Sequence, residues 1–169
     1  MRVVAAVTTF PGRRQWGSCA LAYGLFLVCA APLGLLTCLL RPGMPHVAPT
    51  QMLLTALMVF VHPAFVEELI FRVVLLPQDP TSMRRSRVLA VSAAALALYV
   101  AAHPLNALLF RPQALGLFES PAYLALAALL GATCTAAYFI SRSIWPPVVI
   151  HWLTVLVWLW FLGGQALLC

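Results

Sequence analysis

The chain has 169 residues, 63 % of them hydrophobic and only 8 % charged, and its mean hydropathy is +0.98. Soluble domains carry about 25 % charged residues, so an ordinary soluble domain, a disordered tail and a coiled coil are excluded. Ten arginines against four acids give a net charge of +6, but the arginines flank apolar stretches as membrane topology requires, which leaves nucleic-acid binding without support.

Residues 1–16 form a short basic lead with Arg2, Arg13 and Arg14. The apolar stretch after Arg14 exceeds the roughly 7–15 residues of a cleavable signal, so it reads as a retained helix. Five helices are predicted, at about 18–40, 50–76, 87–109, 121–141 and 147–168. Each offers about 20 apolar residues, the number needed to cross a hydrocarbon core roughly 30 Å thick. Pro32 is expected to bend the first, the breaker at 41–45 separates it from the second, and the turn at 77–86 holds Asp79, Arg84 and Arg85. The fourth carries small residues at Ala128, Ala132 and Ala136 and at Ala127, Gly131 and Thr135, a spacing that permits close helix contact. The fifth follows Trp145-Pro146-Pro147. The expected fold is all-α, a polytopic membrane helix bundle of about five transmembrane helices, with residues 1–169 as a single domain.

With the N-terminus inside, seven arginines fall on the inner side (Arg2, Arg13, Arg14, Arg84, Arg85, Arg87, Arg142) and two outside, Arg41 and Arg111. This bias predicts an N-terminus on the cytoplasmic (or stromal) side and a C-terminus on the opposite face. Cys19, Cys29, Cys38 and Cys134 lie within apolar stretches and Cys169 ends the chain; without a CxxC spacing they read as small apolar thiols.

Ionisable groups at membrane depth are costly and mark functional candidates. They are Glu67, Glu68 and Arg72 on the second helix, His103 on the third and His151 on the fifth, with His62 a weaker one. His46, Asp79 and Glu119 fall in loops. Glu68 and Arg72 stand four residues apart with the acid first, the favourable order for a helical ion pair, and read as structural support for the turn that presents Glu67. Glu67 has Phe71 four residues on, so its carboxylate must be protonated, hydrated or paired across helices. Desolvation of such a group suits a general base working near neutral pH. A Glu, His, His set could also suit zinc, but no HExxH is present.

Glu67-Glu68-Leu69-Ile70-Phe71-Arg72 matches EExxxR, Tyr99-Val100-Ala101-Ala102-His103 resembles FxxxH, and His151-Trp152-Leu153-Thr154-Val155 resembles HxxxN. In this order, on membrane helices, these motifs resemble the CPBP family of intramembrane proteases, the CAAX prenyl proteases and bacteriocin-processing proteins. The resemblance implies a glutamic intramembrane endopeptidase cutting a membrane-associated or prenylated peptide. Glu67 would activate water, His103 would help orient it, His151 would face the oxyanion, and Glu68 and Arg72 would support the site, without metal or other cofactor. Tyr99 for Phe is a mild departure. Val155 for Asn removes an amide donor, a loss that typically costs about 10²–10³ in rate. Thr154 points about 100° away on an ideal helix and is a poor substitute.

At 1.5 Å per residue, Glu67, His103 and His151 lie roughly 14, 22 and 6 Å from the inner ends of their helices, which alone does not bring them together. The alternative is a non-catalytic relative serving as a subunit of a larger membrane complex, where His62 or His103 could face a pigment or haem. A small transporter with Glu67 as its proton site would need further polar residues or repeats. The expected partners are the lipid bilayer and a membrane peptide or protein.

Overall fold

The structure, a computed structural model, describes residues 2–43 and 47–168, apart from the side chains of Arg2, Gln165 and Leu168. Met1, His46 of the first loop and Cys169 lie outside the described residues. Among the described residues, besides 3-10 turns at Pro80–Ser82 and Pro112–Ala114, the helices in chain order are α1 (Arg2–Thr8), α2 (Arg13–Leu36), α3 (Pro49–Val74), α4 (Arg85–Phe110), α5 (Leu115–Phe118), α6 (Pro121–Ser141), α7 (Trp145–Phe161) and α8 (Gly164–Leu168). Among the described residues α2, α3, α4 and α6 are long and apolar enough to cross a membrane, and α7 is a shorter apolar helix. The fold is an all-α polytopic bundle, and the protein is an integral membrane protein.

Local chemistry sets the helix ends. The Gly12 amide donates to Gln15 Oε1 at 2.9 Å and starts α2 inside the basic lead, earlier than hydropathy suggests. Ser120 caps α6 by accepting from the Tyr123 amide at 3.2 Å, with Pro121 in the first turn. Arg142, at φ 57, ends it in the left-handed region. The fifth span is shorter than the predicted 147–168. After Phe161 the chain turns through Gly163, at φ +78, a conformation that suits only glycine without strain. The Arg41 and Gly43 amides then donate to Leu162 and Phe161 carbonyls, both at 2.9 Å.

Helix α6 is the hub, packed along α2 and against α4 and α7. Of its two small-residue stripes, Ala127 and Gly131 are buried, whereas Ala132 and Ala136 face outward. A Cβ at Gly131 would meet Leu96 at 2.7 Å and Tyr99 at 2.8 Å, so this glycine sets how closely α4 and α6 approach.

The two ends of the bundle differ. At one end α1 lies under the start of α7: the Ile144 amide donates to Ala6 O at 3.1 Å, Ser143 Oγ to Thr9 O at 2.6 Å and Trp145 Nε1 to Val7 O at 2.8 Å. Arg142 reaches Asp79 at 3.0 Å and donates to the Gln78 carbonyl, bringing the α3–α4 turn to the same end. Ala6, Val73, Leu76, Tyr138, Ile144 and Val148 fill this end with a packed core. Arg13, Arg14, Arg84, Arg85, Arg87 and Arg142 gather here; Arg41 and Arg111 sit at the opposite end.

Candidate active site

Helix α3 is not a uniform α-helix. Wider π turns cover Phe60–Phe65 and Leu69–Val74, on either side of Val66–Glu68, and His62 departs to φ −138, ψ 119 beside Pro63. Pro63 cannot donate a backbone hydrogen bond, and a kink there has an identifiable cause. The widened turns leave Glu68 fully buried against α7 and Glu67 at the wall of a cavity.

Glu68 has two partners. Its Oε2 lies 3.0 Å from Arg72 Nε, the ion pair expected from the i, i+4 spacing, though the angle is not that of a linear hydrogen bond. Its Oε1 accepts from His151 Nδ1 at 2.8 Å, a contact across helices that the spacing could not reveal. Arg72, 2 % exposed, also donates from Nη2 to the Gly131 carbonyl at 3.0 Å and stands over the Tyr99 ring at 4.6 Å. Acid, guanidinium, carbonyl and ring together compensate a charge that would otherwise be prohibitive in this setting.

Glu67 is arranged differently. Its Oε2 is buried yet has no hydrogen-bond partner among the described residues, and it stands 4.0 Å from His151 Nε2. Because Glu68 holds Nδ1, His151 turns Nε2 toward Glu67 and the cavity. His103 donates Nδ1–H to the Tyr99 carbonyl at 2.9 Å, since a carbonyl can only accept, which leaves its Nε2 lone pair free to take a proton or bind water. The Tyr99 ring packs edge-on to both histidines, with centroids at 4.8 Å from His103 and 6.3 Å from His151.

Glu67, His103 and His151 therefore line one cavity of about 830 Å³ together with Tyr123, Val155 and Asn106. The depth arithmetic overstated their separation. The start of α7 is bonded to α1 through the Ile144 amide and the Trp145 indole, and His151 Nε2 stands 4.0 Å from Glu67 Oε2, so inner helix ends on one common plane are not what sets their levels. Glu68 and Arg72 stand behind the wall. His62 is exposed at the cavity's rim, and Asp79 and Glu119 are exposed in turns. Thr154 Oγ1 donates to the Ile150 carbonyl at 2.7 Å. Among the described residues no three His, Cys, Asp or Glu side chains are placed to hold a metal ion.

The sequence over residues 49–157, well over half of the chain, matches the family described as Type II CAAX prenyl endopeptidase Rce1-like. The chain belongs to this family. No curated protein and no solved structure matches it. The Rce1-like region runs from the start of α3 to within a turn of the end of α7, so it contains the whole cluster from Glu67 to Val155 and excludes α1 and α2. Within this Rce1-like chain sequence reasoning named Glu68 and Gly131 but missed their contacts across helices, Glu68 with His151 and the Gly131 carbonyl with Arg72, and it missed Tyr123, whose ring packs against His103.

Proposed function

We propose that the protein is an active glutamic intramembrane endopeptidase that cleaves a membrane-associated peptide within this cavity. The observation that carries the reading is the Glu67 Oε2–His151 Nε2 pair, 4.0 Å apart on the cavity wall with the carboxylate oxygen unpartnered. Two atoms at that distance can share one water at about 2.8 Å from each, the usual O–H···O length. Glu67 takes the proton as water attacks, and the His103 Nε2 lone pair orients the second hydrogen. On this proposal Nδ1–H of His151 is directed to Glu68, and an Nε2–H, formed as the ring takes up a proton, meets the oxygen that becomes negative. Glu68, itself held by Arg72, holds His151 and supplies the negative charge beside it. The predominantly apolar lining suits a lipidated or otherwise apolar peptide.

The test uses purified protein in lipid vesicles and an internally quenched, farnesylated Cys-aliphatic-aliphatic-X peptide. Wild type should release fluorescence, and Glu67→Gln, which keeps size and removes the base, should not. Identical traces for the two would refute the assignment. One feature favours a second reading, a non-catalytic subunit: Val155 places a side chain without a donor where the family motif has an amide. Stoichiometric copurification with large membrane partners, together with an inert wild type, would select it.

A further inference from the structure

We propose that the Tyr123 hydroxyl is the hydrogen-bond donor that meets the substrate's carbonyl oxygen in this site, in the cavity that Val155 also lines. The inference rests on the endopeptidase reading above and assigns the group that the third motif lacks.

The placement follows from three ring contacts. Tyr123 packs against His103 at 5.7 Å, Phe118 at 4.8 Å and Trp158 at 6.0 Å between centroids. Trp158 lies three residues beyond Val155 and seven beyond His151, so all three share one face of α7. The Tyr123 ring thus spans from the histidine of α4 to the α7 face that carries His151 and Val155, and all of these residues line the same cavity. Its backbone is fixed as well, since its amide donates to the Ser120 cap. No described residue accepts a hydrogen bond from its hydroxyl, and Glu67 lines the same cavity. A phenol held by three rings, with its O–H uncommitted and on the cavity that the candidate base lines, is a preorganised donor.

The step balances without any added reagent. The water oxygen bonds to the scissile carbonyl carbon and its proton passes to Glu67. The carbonyl π pair moves onto oxygen, which accepts from Tyr123 O–H and His151 Nε2–H. When the pair returns, the C–N bond breaks and the departing nitrogen takes the proton from Glu67. Tyr123 neither gains nor loses a proton overall.

Tyr123→Phe keeps the ring contacts and removes only the oxygen. In the vesicle assay its kcat should fall by about 10²–10³, the usual effect of losing one oxyanion donor, with KM unchanged. Placing Val155→Asn in the Tyr123→Phe background should restore a substantial part of that loss. A Tyr123→Phe rate equal to wild type, with Glu67→Gln still dead, overturns the proposal and leaves the endopeptidase reading standing. A loss that Val155→Asn does not restore, and that comes with a lower melting temperature, assigns Tyr123 a packing role and also overturns it. A wild type no faster than Glu67→Gln removes both.

Discussion

His151 Nδ1 lies 2.8 Å from Glu68 Oε1, the carboxylate oxygen that Arg72 does not use. One buried acid thereby holds a guanidinium on its own helix and an imidazole on another, and orients the residue that faces Glu67. Two neighbouring carboxylates divide the work: the inner one fixes geometry, the outer one keeps an open oxygen.

Removing the guanidinium should expose what that arrangement costs. Arg72→Ala leaves Glu68 fully buried, loses the bond to the Gly131 carbonyl and takes the cation off the Tyr99 ring. Breaking a buried pair typically costs about 3–5 kcal/mol, so the variant should accumulate poorly and melt well below wild type in detergent. Normal yield and melting of Arg72→Ala would contradict the pairing.

Gly131→Ala tests the contact between α4 and α6. The added methyl would lie 2.7 Å from Leu96 and 2.8 Å from Tyr99, and Tyr99 carries the carbonyl that orients His103. Overpacking of this kind costs about 1–3 kcal/mol. Thermal melts should show that loss, and peptide cleavage should drop further than melting alone explains. Wild-type behaviour in both would mean that the helices part without effect on the site.

The α3–α4 turn has its own pH dependence. Asp79 accepts hydrogen bonds from Thr81 Oγ1 at 2.7 Å and Thr81 N at 3.1 Å, and it faces Arg142; these bonds first, then the guanidinium, hold its carboxyl below the usual carboxylate range. A lowered folded value means that the contribution is present above the ordinary aspartate pKa of about 3.9 and disappears as pH falls through the lower folded value. The Thr81 amide resonance should therefore titrate with a midpoint below that of a free aspartate. A midpoint at or above it would count against the tie.

Sidedness can be read directly. The end that carries Arg13, Arg14, Arg84, Arg85, Arg87 and Arg142 is proposed to face the cytoplasm, on the positive-inside rule. A protease site inserted at 77–84 should be cut only from the cytoplasmic side, and one at 112–119 only from the other. Cleavage of both from one side would reverse or void the assignment.

What the chain discloses as text is what depends on near neighbours. The apolar runs mark the helices, because about 20 such residues have no stable place but the bilayer, and Glu68 with Arg72 is visible because i, i+4 residues always meet on a helix. The short α1 leaves no periodic trace, since seven residues complete barely two turns. The early end of α7 was signalled by the Gly163-Gly164 pair, which hydropathy averages away. The cluster itself was only half legible. Its residue types could be named, but the approach of His151 to Glu67 is a contact across helices, which has no pattern in sequence. Tyr123 belongs to no motif, and only its three ring neighbours single it out.

One packed core lies at the α1 end and a second joins α2, α6 and α7 through Cys19, Cys134, Ala137 and Ile150, while the cavity opens toward Arg41 and Arg111. Sites that share no neighbours tend to contribute independently to stability. Residues such as Leu27, Met58 and Phe110 line the cavity without belonging to either core, so they can be exchanged for side chains of different size while both cores persist. Evolution can therefore retune which peptides are accepted by drift at wall positions that neither packed core uses.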